Sequence, residues 1–313
     1  MSVAIKGSAS LSSDQRIPLV GFGTYLIEDG DVEECVVAAL RCGYRHIDTA
    51  EGYRNESGVG RGIARGMKEL GLDRSAIFVT TKVFPGNPAW GMPEKSGKDC
   101  ISALESSLEK LSLDYVDLYL LHAPFGNEKR LERWRALLQL QKDGKARAVG
   151  VSNYSIDHLN EIENANLPLP AANQIELHPW CQKPKLVAHM AARSILPIAY
   201  SSLAPLSTWR TAAGQRSRKS DALNARSDAS DHDDASTFAV MASKYSVTEA
   251  QLLLKWAHQQ GFPVLPKSTK EERIKANAQL VGWEIDIEDM EKLRCLDRDL
   301  ACAWSHGDPL RSA

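Results

Sequence analysis

The sequence predicts an α/β protein, a (β/α)8 TIM barrel with an N-terminal hairpin and an extra C-terminal helix. Short β-branched runs alternate with amphipathic runs from "GFGTY" to "VLPKS", and such alternation implies parallel βαβ units. The strand-like runs number eight, enough to close a barrel around one core. The competing open, doubly wound sheet needs a glycine-rich turn after its first strand. "GFGTYLIEDG" has no G-x-G-x-x-G. A length of 313 residues allows two domains, but α/β barrels of this size are single units, so one domain is expected over 1–313.

The elements follow in order. A hairpin-like start runs from Ile5 to Ile17. "DVEECVVAALRCG" places Val32, Cys35, Val36, Ala39 and Leu40 at helical spacing. "RHIDTA" is a short strand. "NESGVGRGIARGMKELG" reads as a helix despite its glycines. "GVGRGIARG" within it resembles a phosphate loop, but it follows no strand and lacks the third glycine. Its small residues are expected to let the helix pack closely. "AIFVTTKV" is a strand, and "GKDCISALESSLEKLSL" a helix with Ile101, Leu104, Leu108 and Leu111 on one face. "DYVDLYLLHA", "ARAVGVSN", "AANQIEL" and "LPIAYSSL" are strands, separated by helices in "KRLERWRALLQLQKDG", "SIDHLNEIENA" and "PKLVAHMAARS". "SVTEAQLLLKWAHQQG" opens on an expected capping box of Ser246 and Glu249. "FPVLPKS" is the last strand, and "KEERIKANAQL" and "DIEDMEKLRCL" are closing helices. One stretch breaks the rhythm: Ser207 to Ser236 is long and polar, and it follows the seventh strand, on the rim where barrels carry function. A lid is expected there. Its "DHDD" (Asp231 to Asp234) has no ligand-spaced partner and reads as a solvated acidic patch, so no metal site is expected.

Composition narrows the function. With 43% hydrophobic and 25% charged residues and a formal net charge of −2, the chain has no basic excess to favour nucleic acid. A small-molecule partner is expected, with a monomer or weak dimer as the assembly. No apolar run reaches membrane-spanning length, and the first fifteen residues hold no signal-like apolar stretch. The six cysteines form no C-x-x-C pair. A soluble, reduced, cytoplasmic protein is expected. The sequons at Asn55 and Asn153 then read as chance matches.

The strand ends carry the chemistry. The second strand ends at Asp48, with Tyr53 in the loop beyond. Lys82 lies near the end of the third, and His122 at the end of the fourth. In a parallel barrel these ends are neighbours on one rim. Singly, each has an ordinary structural role: a turn aspartate, a packing tyrosine, a strand-end lysine, a loop histidine. Jointly they fit proton delivery. A buried lysine needs a partner, and Asp48 supplies it. A phenol titrates near pH 10, and the Lys82 ammonium is expected to lower that value. His122 would orient a substrate oxygen while Tyr53 protonates it. None of the four is a hydride donor, so a cofactor would have to supply one.

The motifs "GFGTY", "YRHIDTAEGYRNE", "TTKV", "DYVDLYLLHAP", "ARAVGVSNY", "NQIELHP", "AYSSLAPL" and "LPKS…RIKAN" resemble the aldo-keto reductases along nearly the whole chain. That family is a (β/α)8 barrel of NAD(P)H-dependent carbonyl reductases. The resemblance implies a tetrad of Asp48, Tyr53, Lys82 and His122, with Tyr53 as general acid. It implies Ser152, Asn153 and Gln174 on the nicotinamide carboxamide and Tyr200 stacked on its ring. Further cofactor contacts are implied at Gly23, Thr24, Tyr25, Asp48, Ser201, Ser202, Leu203, Pro266, Ser268 and Asn277. A donor-and-acceptor amide suits Ser152, Asn153 and Gln174, although Ser152 and Asn153 alone could simply cap the next helix.

"LPKSTKEERIKAN" also reads from its residues. Ser268 and Thr269 can cap a helix beside Lys267, and Arg273 follows one turn on. Two cations at a helix start suit the adenosine 2′-phosphate, so NADPH/NADP+ is expected over NADH. Ala276 stands where many members have an acid, which weakens the implied adenine contact. The substrate, an aldehyde or ketone, is expected against Tyr25, Phe84, Trp90, His122, Phe125 and Trp304, with Trp209 a further rim candidate and Ala123 a smaller wall. Two other readings compete: a noncatalytic NADP-binding redox-sensing subunit, and a Schiff-base aldolase using Lys82 as nucleophile.

Overall fold

The computed structural model describes residues 5–11, 15–206, 232–304 and 307–312. A two-stranded antiparallel hairpin, β1 (Ser8–Ser10) and β2 (Arg16–Pro18), opens the chain. Seven parallel strands follow in sequential order. They are β3 (Phe22–Gly23), β4 (His46–Asp48), β5 (Phe78–Val83), β6 (Val116–Leu121), β7 (Ala146–Ser152), β8 (Ala172–Glu176) and β9 (Leu196–Tyr200). The expected eighth strand, "FPVLPKS", is reduced to one bridging residue. Val264 pairs in parallel with both Val20 and Ala199, joining the first strand to the last. Backbone bonds from Gly21 N to Val264 O (2.8 Å), Gly23 N to Pro266 O (3.0 Å) and Ala199 N to Pro263 O (2.8 Å) complete the seam. Pro263 and Pro266 flank Val264 and cannot donate, which limits the pairing to this short stretch.

The helices are α1 (Asp29–Arg41), α2 (Glu56–Leu70), α3 (Gly97–Leu111), α4 (Asn127–Lys142), α5 (Ile156–Asn164), α6 (Pro184–Ala191), α7 (His232–Lys244), α8 (Glu249–Gln259), α9 (Glu271–Asn277) and α10 (Ile287–Arg294). None of them is long and apolar enough to cross a membrane. The α2 glycines do what their size predicts. A Cβ on Gly58 would stand 2.4 Å from Asp29 O, one on Gly60 2.5 Å from Leu111 O, and one on Gly66 2.4 Å from Leu40 Cδ1. Larger residues would force α2 away from α1 and α3.

Side chains alternate along the strands. Leu118 and Leu120 face an inner cluster with Phe78, Ala148, Ala172 and Ile198, into which the hairpin region inserts Leu11 and Ile17. Tyr119 and Leu121 face the helix layer instead. The hairpin therefore plugs the bottom of the barrel and leaves the C-terminal rim open for chemistry.

Three local expectations are corrected. The capping box of α8 is Thr248 with Gln251, not Ser246 with Glu249, because Ser246 adopts a left-handed φ of 55° that closes the preceding helix. Thr269 does not cap α9. Lys270 is its N-cap, and the Ser268 hydroxyl accepts from Lys270 N at 3.1 Å. The polar stretch ends earlier than expected, because residues from His232 onward are helical in α7. Residues 207–231, with Trp209 and most of the expected lid, lie outside the described residues.

Candidate active site

The rim assembles from strand register. Asp48 pairs with Thr80 across β4 and β5, and Lys82 with Leu120 across β5 and β6. This brings the two ionic side chains together in the core. Lys82 Nζ donates to Asp48 Oδ1 at 2.6 Å and to Thr49 O at 2.7 Å, and its side chain is 0% exposed. Nζ also lies 3.4 Å from the Tyr53 hydroxyl. Tyr53 is the last residue of a short 3₁₀ turn, Glu51–Tyr53, which hands the chain on to α2. His122 stands beside it, with ring centroids 5.7 Å apart.

The titration of Tyr53 differs in sign from the sequence expectation. Burial, and then the Asp48 carboxylate, push its phenol above the ordinary value. Burial lowers Lys82 despite Asp48, and burial together with Lys82 holds His122 down to about 3. At neutral pH Tyr53 is therefore a protonated donor and His122 a neutral imidazole. The His122 Nδ1 is buried without a partner.

The three residues expected at a carboxamide, and Tyr200 expected on the ring, also come together, in one hydrogen-bonded network. Ser152 Oγ donates to Gln174 O at 2.8 Å. Asn153 Nδ2 donates to Ser152 Oγ at 2.9 Å and to His122 O at 3.0 Å. Gln174 Nε2 donates to Asp48 Oδ2 at 2.9 Å, a link to the ion pair that the sequence did not indicate. The Tyr200 hydroxyl donates to Asn153 Oδ1 at 2.7 Å. Neither Ser152 nor Asn153 caps α5, because Ser155 does, in a box with His158. Both sequon asparagines are buried, and the Asn55 amide is committed to Thr24 O and Ile27 O, each at 2.8 Å.

Around this floor the remaining candidates form the wall. Gly23 and Thr24 are buried, and the Thr24 hydroxyl donates to Asp48 O at 3.1 Å. Tyr25 is exposed, with its ring 5.0 Å from that of Tyr53. Past β9, Ser201 takes a left-handed φ of 53° and Leu203 packs on the core. Ser202 is buried with an unpartnered hydroxyl. Pro266, Ser268 and Asn277 are buried along the seam, whereas Lys267 and Arg273 are exposed beside them.

The aromatic candidates converge on His122. Phe84 stacks on Trp90 (centroids 6.0 Å apart, 14° between planes), and Phe125 meets Trp90 edge-on at 5.0 Å. Trp304 lies 5.9 Å from His122, and its indole N–H donates to the Tyr200 hydroxyl at 2.9 Å. Ala123 is buried. Glu51 is a residue the sequence reading missed. Its Oε1 accepts from Phe84 N at 2.7 Å and pairs with Lys95 Nζ. It thus ties the turn that presents Tyr53 to the loop that carries Phe84 and Trp90.

The sequence profile of the Aldo/keto reductase family matches residues 19–298. A glyoxal reductase of Bacillus subtilis is 36% identical over 300 residues, covering 96% of each chain. An aldehyde reductase of Saccharomyces cerevisiae is 34% identical, covering 97% of this chain and 98% of its own. Among solved structures, the Bombyx mori aldo-keto reductase in complex with NADP superposes with a TM-score of 0.81 at 29% identity, covering 96% of this chain and 94% of that one. With a family profile spanning most of its length and relatives aligned end to end, this chain belongs to the aldo/keto reductase family.

Proposed function

We propose that the protein is an NADPH-dependent carbonyl reductase that converts an aldehyde or ketone to an alcohol, with Tyr53 as proton donor. The observation that carries this is the buried Lys82–Asp48 pair, with Lys82 Nζ 3.4 Å from the Tyr53 hydroxyl, at the floor of an aromatic-walled mouth. Bound there, the nicotinamide would supply the hydride.

The residues fit such a cofactor. Ser202 Oγ is a buried hydroxyl lacking a partner beside Tyr200. Ser152, Asn153 and Gln174 offer an amide-matching set of donors and acceptors. Lys267 and Arg273 offer charge to a 2′-phosphate at the start of α9.

The chain's own groups divide the work. His122, kept neutral, hydrogen-bonds the carbonyl oxygen and aims it at the Tyr53 hydroxyl. Tyr53 gives up its proton as charge builds on that oxygen. Lys82, held by its 2.6 Å bond to Asp48 with Nζ 3.4 Å from the Tyr53 hydroxyl, then stabilises the phenolate. Asp48 keeps the ammonium aimed, and Gln174 holds the second Asp48 oxygen. Phe84, Trp90 and Trp304 exclude water from the reacting oxygen.

The depressed Lys82 pKa favours one rival, a Schiff-base aldolase. Against it, the amine is fully buried behind Tyr53 and committed to Asp48 and Thr49. Borohydride trapping of a carbonyl substrate on Lys82 would establish the rival. A panel of carbonyl substrates with NADPH and with NADH, followed by absorbance loss, tests the proposal. Loss with NADPH supports it, whereas cofactor binding without turnover of any carbonyl would favour a noncatalytic subunit.

A further inference from the structure

Glu176, at the end of β8, is the hub of a second buried cluster. Its Oε1 accepts from His178 Nε2 at 3.0 Å, from the Cys302 thiol at 3.1 Å and from Cys302 N at 2.7 Å. Oε2 accepts from Ala303 N at 2.9 Å. Cys302 Sγ lies 3.9 Å from His178 Nε2, which closes a triangle of oxygen, nitrogen and sulfur. All three side chains are buried, and this is the one group of potential metal donors so arranged among the described residues.

We propose that Glu176, His178 and Cys302 form a binding site for a thiophilic divalent cation of the Zn2+ type. The donor set is a thiolate, an imidazole and a carboxylate, which such ions take at about 2.3, 2.0 and 2.1 Å. Sides of 3.0, 3.1 and 3.9 Å are close to the donor separations those bond lengths require, so small side-chain movements suffice. Charge also balances: one thiolate and one carboxylate neutralise a dication where an uncompensated charge would be costly. On binding, the Cys302 thiol loses its proton to solvent. The imidazole moves its proton from Nε2 to Nδ1, an atom that is buried and has no partner. Three protein ligands leave one coordination position for water. Because Cys302 and Ala303 lie on the segment that leads into Trp304, an ion enters by displacing that segment, and binding is slow. The site also touches the substrate wall: Glu176 pairs in register with Tyr200, which accepts from Trp304.

Co2+ is the probe, because a cobalt–thiolate bond gives a charge-transfer absorption that does not depend on turnover. The full-length protein, incubated to equilibrium, should take up one Co2+ per chain with that absorption, and Zn2+ should displace it. Cys302→Ser should abolish the band, and His178→Gln should weaken Co2+ binding at least about tenfold, since even supporting residues around metal ligands are worth that much. No thiolate band in the wild type, or an undiminished band in Cys302→Ser, overturns the proposal. Should either variant fail to fold, X-ray absorption at the zinc edge of the loaded wild type decides: a shell with one sulfur supports the site, and one without sulfur refutes it. Since the readout is metal rather than product, its failure leaves the reductase reading untouched.

Discussion

Replacing Lys82 by methionine should be one of the most damaging single changes in the barrel. The substitution keeps an unbranched apolar stem out to the ε-carbon and removes the ammonium. It deletes bonds of 2.6 Å to Asp48 and 2.7 Å to Thr49 O, and strands an Asp48 side chain that is only 4% exposed. Of the Asp48 contacts described here, the amide of Gln174, at 2.9 Å, remains on the carboxylate. Breaking a buried pair on one side costs about 3–5 kcal/mol, a large share of the ~5–15 kcal/mol that holds a domain together. Removing the charge on both sides costs less, because no ion is left buried. Urea unfolding of wild type, Lys82→Met, Asp48→Asn and the double variant would give the cycle. The double variant should be more stable than Lys82→Met, with a coupling of roughly 2 kcal/mol or more. A Lys82→Met loss below about 1 kcal/mol, the scale of an exposed pair, would refute the reasoning. So would simple additivity in the double variant.

Other consequences are quickly stated. Lys267→Ala and Arg273→Ala should weaken NADPH about tenfold or more relative to NADH, since charge-assisted contacts are worth roughly 1.5–3 kcal/mol each; equal losses for the two cofactors in a fluorescence titration would remove these side chains from the 2′-phosphate. Because burial raises the Tyr53 pKa above its ordinary value, the rate of reduction should show no deprotonation limb of this group between about pH 7 and about pH 9; a Tyr53-dependent limb near neutrality in the pH profile would contradict that. His46, fully buried with its pKa lowered to about 3 by burial and Lys82, stays neutral in the fold while the unfolded chain takes up its proton. Its contribution is intact above about pH 6.5 and falls by about 1.4 kcal/mol for each pH unit below that; denaturant midpoints that stay flat down to about pH 4.5 would count against it.

The fold and the tetrad were legible because both depend on short-range pattern. Alternation of β-branched and amphipathic runs sets the strand order, and strand order brings Asp48, Lys82 and His122 to one rim. The α2 glycines were legible for the same reason, since a helix with small residues on one face has a neighbour there. What escaped the sequence was set by burial or by distant partners. The direction of the Tyr53 shift depends on how deeply the phenol is buried, which no spacing reports. Glu51 meets Lys95, and Glu176 meets Cys302, through loops whose paths follow from packing. The bond from Gln174 to Asp48 joins strands far apart in the chain, and no local spacing reports it. The last strand shrank to a single bridging residue, Val264, because its prolines remove donors that a ladder needs.

The claim that Tyr53 delivers the proton is tested most directly by Tyr53→Phe, assayed for both turnover and NADPH binding. The change removes one hydroxyl and leaves the ring against Tyr25 and His122. The account predicts that carbonyl reduction is abolished while NADPH, followed by fluorescence quenching, binds with nearly wild-type affinity. Appreciable turnover by the variant would contradict it.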